Sequence, residues 1–217
     1  MRASVITKNL GAASANAIAA SQSLAGAGFL TLTANPVVLD TQRRIIITSA
    51  GNDGALTWTV IGTAEGGQAI KDVFAGANGV AQSNLNFLTI TSIYGSGATA
   101  STVTAGTNGV GSSPWKLFGD TVTPPALGIF MDLVTGAGNA TFEYTQDEFL
   151  DPVGIQSAIA LAPATVNPVA LPHPDLQSLT ASKDGSMDWE FHAWRLTINS
   201  GTGTWKCTAR QAGLASP

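Results

Sequence analysis

Apolar and polar residues alternate along most of this chain, in runs about 8–14 residues apart that end in Gly, Asn, Asp, Ser or Pro. A period of two sends successive side chains to opposite faces, so each run reads as a half-buried β-strand. Arg43–Ser49 is β-branched and runs into the turn cluster AGNDG. Leu56–Thr63 then sets Leu56, Trp58 and Val60 against Thr57, Thr59 and Ile61. Further strands are predicted at Phe29–Thr33, Ala69–Ala75, Asn84–Tyr94 and Ser101–Ala105, with turns at Gly66-Gly67, Gly76–Gly79 and Gly95–Gly97. In the second half, Leu127–Val134 and Ala140–Thr145 flank GAGN, and Ser186–Asn199 and Gly203–Arg210 flank SGTG. Both read as hairpins. Two phrases, RRIIITSAGNDGALTWTVIGT (Arg43–Thr63) and RLTINSGTGTWKCTARQ (Arg195–Gln211), share one order: Arg, β-branched strand, Ser/Gly turn, Thr-Trp strand. Each is predicted to be a hairpin.

No predicted strand is followed by a 10–15-residue amphipathic helix, so the pattern excludes βαβ units and predicts an antiparallel sandwich or barrel. The expected fold is all-β: two tandem antiparallel β-sandwich-like domains, 29–112 and 113–217, after an N-terminal arm, 1–28. The boundary falls in GTNGVGSSP (Gly106–Pro114), which is Gly/Ser-rich, uncharged and ends in Pro. Helix should stay below roughly 15% of residues. In the arm, Ser4–Lys8 is a weak strand, and any short helix over Asn16–Ala25 ends at Gly26 and Gly28. Such a segment buries too little apolar area to fold alone, so it is expected to order against a neighbouring subunit. Gln146–Gly154 is an acidic loop, and Pro163, Pro168, Pro172 and Pro174 interrupt regular structure in 155–174. The predicted core is Ile45, Ile47, Trp58, Val60, Phe87, Leu88, Ile90, Ile93, Phe130, Leu133, Phe142, Trp194, Leu196 and Ile198.

Composition narrows the role. Only 11% of residues are charged, far below the usual quarter. A neutral surface costs little to desolvate at an interface. The net charge of −4 comes with scattered Lys and Arg, so no nucleic-acid partner is expected. Arg43 and Arg44 read as a strand-edge pair facing solvent. No run approaches the roughly 20 apolar residues of a membrane span, so no membrane partner is expected. Ser14, Asn16, Ser21, Gln22 and Ser23 interrupt any leader-like apolar stretch, so no export signal is read. Cys207 stands alone in an alternating strand, which excludes an intrachain disulfide and reads as a buried or half-buried thiol.

Candidate chemistry is sparse. Asp147, Glu148 and Asp151 bring three loop carboxylates together, the start of a hard-cation site but without EF-hand spacing; a solvated loop is the simpler reading. His173, between two prolines, and His192, in a strand, share no metal motif. GNDG and GTNGVG lack the Lys-Ser/Thr of a phosphate loop and read as turns. No nucleophile elbow is present. No catalytic, cofactor-binding or metal residue is assigned, and no cofactor is expected. Trp58, Trp115, Trp189, Trp194 and Trp205 lie in or near strands and read first as core or interface residues. Exposed Trp would open a second reading, a carbohydrate-binding adhesin module, with Trp115 and Trp189 as its contacts.

The ordered phrases LDTQRRIIITSAGNDGALTWTVIGT, FLTITSIYGSGATASTVTAGTNGVGSSPW, FEYTQDEFLDP, LPHPDLQSLTASKDGSM and AWRLTINSGTGTWKCTARQAGL together resemble a group of virion structural proteins of tailed bacteriophages. The resemblance covers nearly all of residues 1–213 and carries no catalytic motif. The charged Glu143 and Glu190 depart from the more regular alternation of that group at Phe142–Thr145 and Met187–Phe191. What the resemblance implies is a non-catalytic virion subunit in the capsid, neck or tail. Its partners would be copies of itself and other virion proteins. A homo-oligomer with closed symmetry, a ring or a trimer, is expected.

Overall fold

A computed structural model describes residues 2–117, 127–146, 170–189 and 191–211. The fold is all-β and its pairings are antiparallel; no helix occurs among the described residues. The strands are β1 (Arg2–Leu10), β2 (Ser14–Gln22), β3 (Gly28–Phe29), β4 (Val37–Asn52), β5 (Thr57–Thr63), β6 (Ala69–Ala75), β7 (Asn78–Gly95), β8 (Val103–Thr107), β9 (Gly111–Ser112), β10 (Lys116–Leu117), β11 (Leu127–Thr145), β12 (Leu171–Pro172), β13 (Lys183–Met187) and β14 (Ala193–Gln211). They form two compact units. One holds residues 13–109; the other holds 2–12 and the described residues from 110 onward.

In the 13–109 unit the strands run in the order β2, β8, β4, β7, β5, β6, with β3 beside the end of β7. Alternation sets the inner face. Thr41, Arg43, Ile45, Ile47 and Ser49 turn inward from β4, Trp58 and Val60 from β5, and Ile70, Asp72 and Phe74 from β6. They meet Phe87, Ile90 and Ile93 of β7, Val103 and Ala105 of β8, and Ile18 and Ala19 of β2 in one core. Arg43–Thr63 is not a hairpin: β7 lies between β4 and β5 and pairs with both, Ile47 opposite Ala81 and Val60 opposite Ile93. The AGNDG turn therefore carries the chain across a strand rather than back along it.

The other unit is built on two long strands. β11 and β14 pair over their whole length, from Leu127 opposite Gln211 to Thr145 opposite Ala193. β13 and β12 add to the outer edge of β11, and β1, β9 and β10 to that of β14. A straight 19-residue strand would span about 60 Å. Yet Ile129 and Met131 from one end of β11 share a core with Phe142 near the other, and Cys207 shares it with Trp194 and Leu196. The strands therefore bend midway. The bend is where GAGN faces SGTG: Gly136 opposite Gly203, Ala137 opposite Thr202, Gly138 opposite Gly201. Register shifts bracket it, leaving Val134 and Asn199 as extra residues. These two segments were expected as hairpin turns; they are instead paired bulges inside continuous strands, where Gly supplies the positive φ of Gly136 (76°) and Gly201 (91°).

Three further expectations change. The expected arm supplies strands of its own chain: Ser4, Ile6, Lys8 and Leu10 alternate inward from β1, which pairs with nine residues of β14, and Ile18 and Ala19 of β2 are fully buried. Phe130 is 45% exposed, because Leu127, Ile129 and Met131 take the inner parity of β11. Leu88 and Leu133 are half-buried, the latter at the bulge. The other predicted core residues are buried.

Candidate functional site

The buried polar groups hold backbone rather than facing a shared space. The Asp72 carboxylate, on the inner face of edge strand β6, accepts the backbone N–H of Asn84 (2.5 Å) and Leu85 (3.0 Å) and the Asn84 side-chain amide (3.2 Å). Asp53 accepts the Ser49 hydroxyl (2.6 Å) and the Ala100 N–H (2.7 Å), tying the turn after β4 to the loop before β8. Arg43 shares the inner parity of Ile45 and Ile47 and is 2% exposed, not the solvent-facing residue expected; Arg44, of opposite parity, is exposed. The Arg43 guanidinium pairs with Asp40 at 2.5 Å and donates to the Asn108 carbonyl at 3.2 Å, which accounts for a buried charge.

In the other unit, His173 is buried within aromatic side chains: Phe142 edge-on at 6.1 Å and Trp189 stacked at 5.8 Å. Its Nδ1 accepts the Asp175 N–H (3.1 Å), which leaves the proton on Nε2, facing the Ser186 carbonyl (3.0 Å). His173 thus fastens the segment before β13 to the strand itself. His192 is half-buried in another setting, its backbone N–H donating to the Thr145 carbonyl. Glu143, which breaks the sequence alternation, accepts Arg195 (2.6 Å) and the Thr197 hydroxyl (2.7 Å) across the β11–β14 pair. Arg195 also lies over the Trp115 ring at 4.5 Å. Glu190 lies outside the described residues.

Cys207 is fully buried, and burial pushes its thiol up to about 12. Asp147, Glu148 and Asp151 lie outside the described residues, and no group of three or more His, Cys, Asp or Glu able to hold a metal occurs among the described ones. Trp58, Trp194 and Trp205 are buried; Trp115 and Trp189 are half-buried, each with a ring face occupied by Arg195 or His173.

Several large apolar side chains face outward. In the 13–109 unit, Phe29, Tyr94, Thr59 and Val73 stand in one row across β3, β7, β5 and β6. Phe29 is 65% exposed and rests edge-on against Tyr94 at 5.1 Å. Ile61, Val38 and Val80 are exposed too. In the other unit Val5, Phe130 and Val134 are exposed. Phe130 was expected in the core and the others were given no role; the signal was an apolar residue at the opposite parity to its strand's buried face, as in Val73 and Phe130.

Compared with known proteins, the chain matches no family model, no curated protein and no solved structure.

Proposed function

We propose that this protein is a non-catalytic structural subunit of a tailed-bacteriophage particle, built of two antiparallel β-sandwich-like domains. It acts through contacts with copies of itself and with other virion proteins, as capsid decoration or as part of the neck or tail. The observation that carries this reading is the exposure of large apolar side chains on sheet faces, Phe29, Val38 and Val73 in one unit and Val5, Phe130 and Val134 in the other. Scattered single apolar residues are ordinary on surfaces, but exposed apolar pairs on sheet faces, Phe29 with Val73 and Val5 with Phe130, on a chain with so few charges, suit coverage by protein. The polar groups support the same reading: Asp53, Asp72, Arg43, His173 and Glu143 are each engaged in holding strands and loops. The resemblance of the ordered phrases to virion proteins adds the setting. The test is quantitative mass spectrometry of purified particles, which should find several copies of the polypeptide per particle. Purified wild-type particles that lack the polypeptide would overturn the proposal.

The sugar-binding alternative rests on a different residue pair than the sequence suggested. Trp115 and Trp189 each have one ring face covered and are half-buried, whereas Phe29, edge-on to Tyr94, is 65% exposed. Glycan-array binding abolished by Phe29→Ala would favour an adhesin role over a purely structural one.

A further inference from the structure

We infer that the outer face of the β1–β14–β11–β13 sheet is a self-association surface, on which a second copy of this chain docks face to face about a two-fold axis parallel to the strands. The inference rests on the proposed role only in that both expect the chain to contact copies of itself.

The pairing register defines the face. Residues directly opposite one another point the same way. Three rows therefore lie outward: Ala3, Arg210, Gly128 and Ser186; Val5, Thr208, Phe130 and Asp184; and Thr7, Lys206 and Asp132. The third row ends on Ser182, whose hydroxyl donates to Asp132 at 2.8 Å. The middle row is apolar at two positions, Val5 (52% exposed) and Phe130 (45%). The charges sort by strand. β14 carries the basic column, Lys206 and Arg210; β11 and β13 carry the acidic column, Asp132 and Asp184. Lys206 and Asp132 are directly opposed, but no ion pair joins them among the described residues.

This arrangement is self-complementary in one orientation. A half-turn about an axis along the strands exchanges left and right on the face. With the axis between β14 and β11 each row meets itself reversed: Lys206 of one copy faces Asp132 of the other, Phe130 faces Thr208, Arg210 faces Gly128 with Asp184 on the diagonal, and Val5 lies against the Asp184 strand. A half-turn about an axis across the strands sets basic against basic instead. Charge thus selects the first. Such a contact is isologous, unlike the ring or trimer expected from sequence. From strand spacing and rise the face spans roughly 20 by 20 Å, about 400 Å² per copy. That is less than the about 800 Å² per partner of a standard interface, so the contact is weak in isolation and gains from local concentration.

Sedimentation velocity over a concentration series tests this with the full chain. Wild type should dimerise reversibly, and high salt should weaken the dimer. Lys206→Glu with Arg210→Glu should weaken association about a hundredfold, as should Asp132→Lys with Asp184→Lys. An equimolar mixture of the two double variants should recover a heterodimer. A wild-type chain that stays monomeric, association that high salt leaves unchanged, or folded variants that do not complement would each overturn the inference. The salt series needs no variant to fold. A monomer in solution would leave the virion proposal standing, and particles without the polypeptide would leave the dimer standing, so the two failures are distinguishable.

Discussion

Replacing Gly201 by Ala tests whether the SGTG and GAGN segments are facing bulges or hairpin tips. At a free hairpin tip the new methyl would meet solvent. In the bent β11–β14 pair it would stand 2.4 Å from the Ala137 carbonyl oxygen and 2.5 Å from the Gly138 Cα, both backbone atoms of the partner strand. Its φ of 91° adds the strain of a left-handed conformation, about 1–2 kcal/mol for a residue with a Cβ. Relief of the clash requires the two backbones to separate at the bend, which disturbs pairing on either side. The expected total is about 3–4 kcal/mol. Gly67→Ala is the control: φ there is 83°, but nothing lies within 4 Å of the added Cβ, so strain alone should cost about 1–2 kcal/mol. Urea unfolding followed by Trp fluorescence separates the two units, since Trp58 reports one and Trp194 and Trp205 the other. A Gly201→Ala loss no larger than that of Gly67→Ala would refute the bent pairing.

Truncating Trp58 or Trp194 to Ala should each cost about 3–5 kcal/mol by the same assay, because both are buried in the centres of their cores; a loss under about 1 kcal/mol would contradict that burial. Asp72→Ala should cost about 1–2 kcal/mol, since it removes the buried carboxylate that accepts the part-buried N–H groups of Asn84 and Leu85; hydrogen exchange should quicken at those two amides first. Between pH 9 and about 12 the unfolded chain has released the Cys207 proton and the folded chain has not. Stability due to this group is therefore complete below pH 9 and falls as pH rises, by up to about 1.4 kcal/mol per pH unit. Cys207→Ala should flatten that slope in alkaline unfolding curves, and the native thiol should resist disulfide reagents at neutral pH.

The strands were legible because alternation is a local property. Ile45, Ile47, Trp58 and Val60 are inward for the reason the sequence suggested, and Ala69–Ala75 begins and ends where its alternation does. Partners were not legible. Nothing in Arg43–Thr63 says that Asn78–Gly95, about 15 residues on, inserts between its two strands. Gly-rich quartets such as GAGN and SGTG signal a departure from flat β geometry, but a hairpin tip and a bulge require the same freedom of φ. Parity misled at Phe130, where an aromatic residue suggested the core although Leu127, Ile129 and Met131 already filled it. The N-terminal segment was expected to bury too little apolar area to fold alone and to order on a neighbouring subunit; β14 and β8 of its own chain supply that surface. The candidate interface was hidden for the same reason, because Val5, Phe130, Lys206, Arg210, Asp132 and Asp184 come together only once β1, β11, β13 and β14 are aligned.

The most direct test of the proposed role is a near-atomic electron-microscopy map of the purified phage particle. Density for the two β-units should appear in several symmetry-related copies on the capsid, neck or tail, with neighbouring chains covering the exposed rows at Phe29–Val73 and Val5–Phe130. A complete particle with no density for this chain would contradict the account.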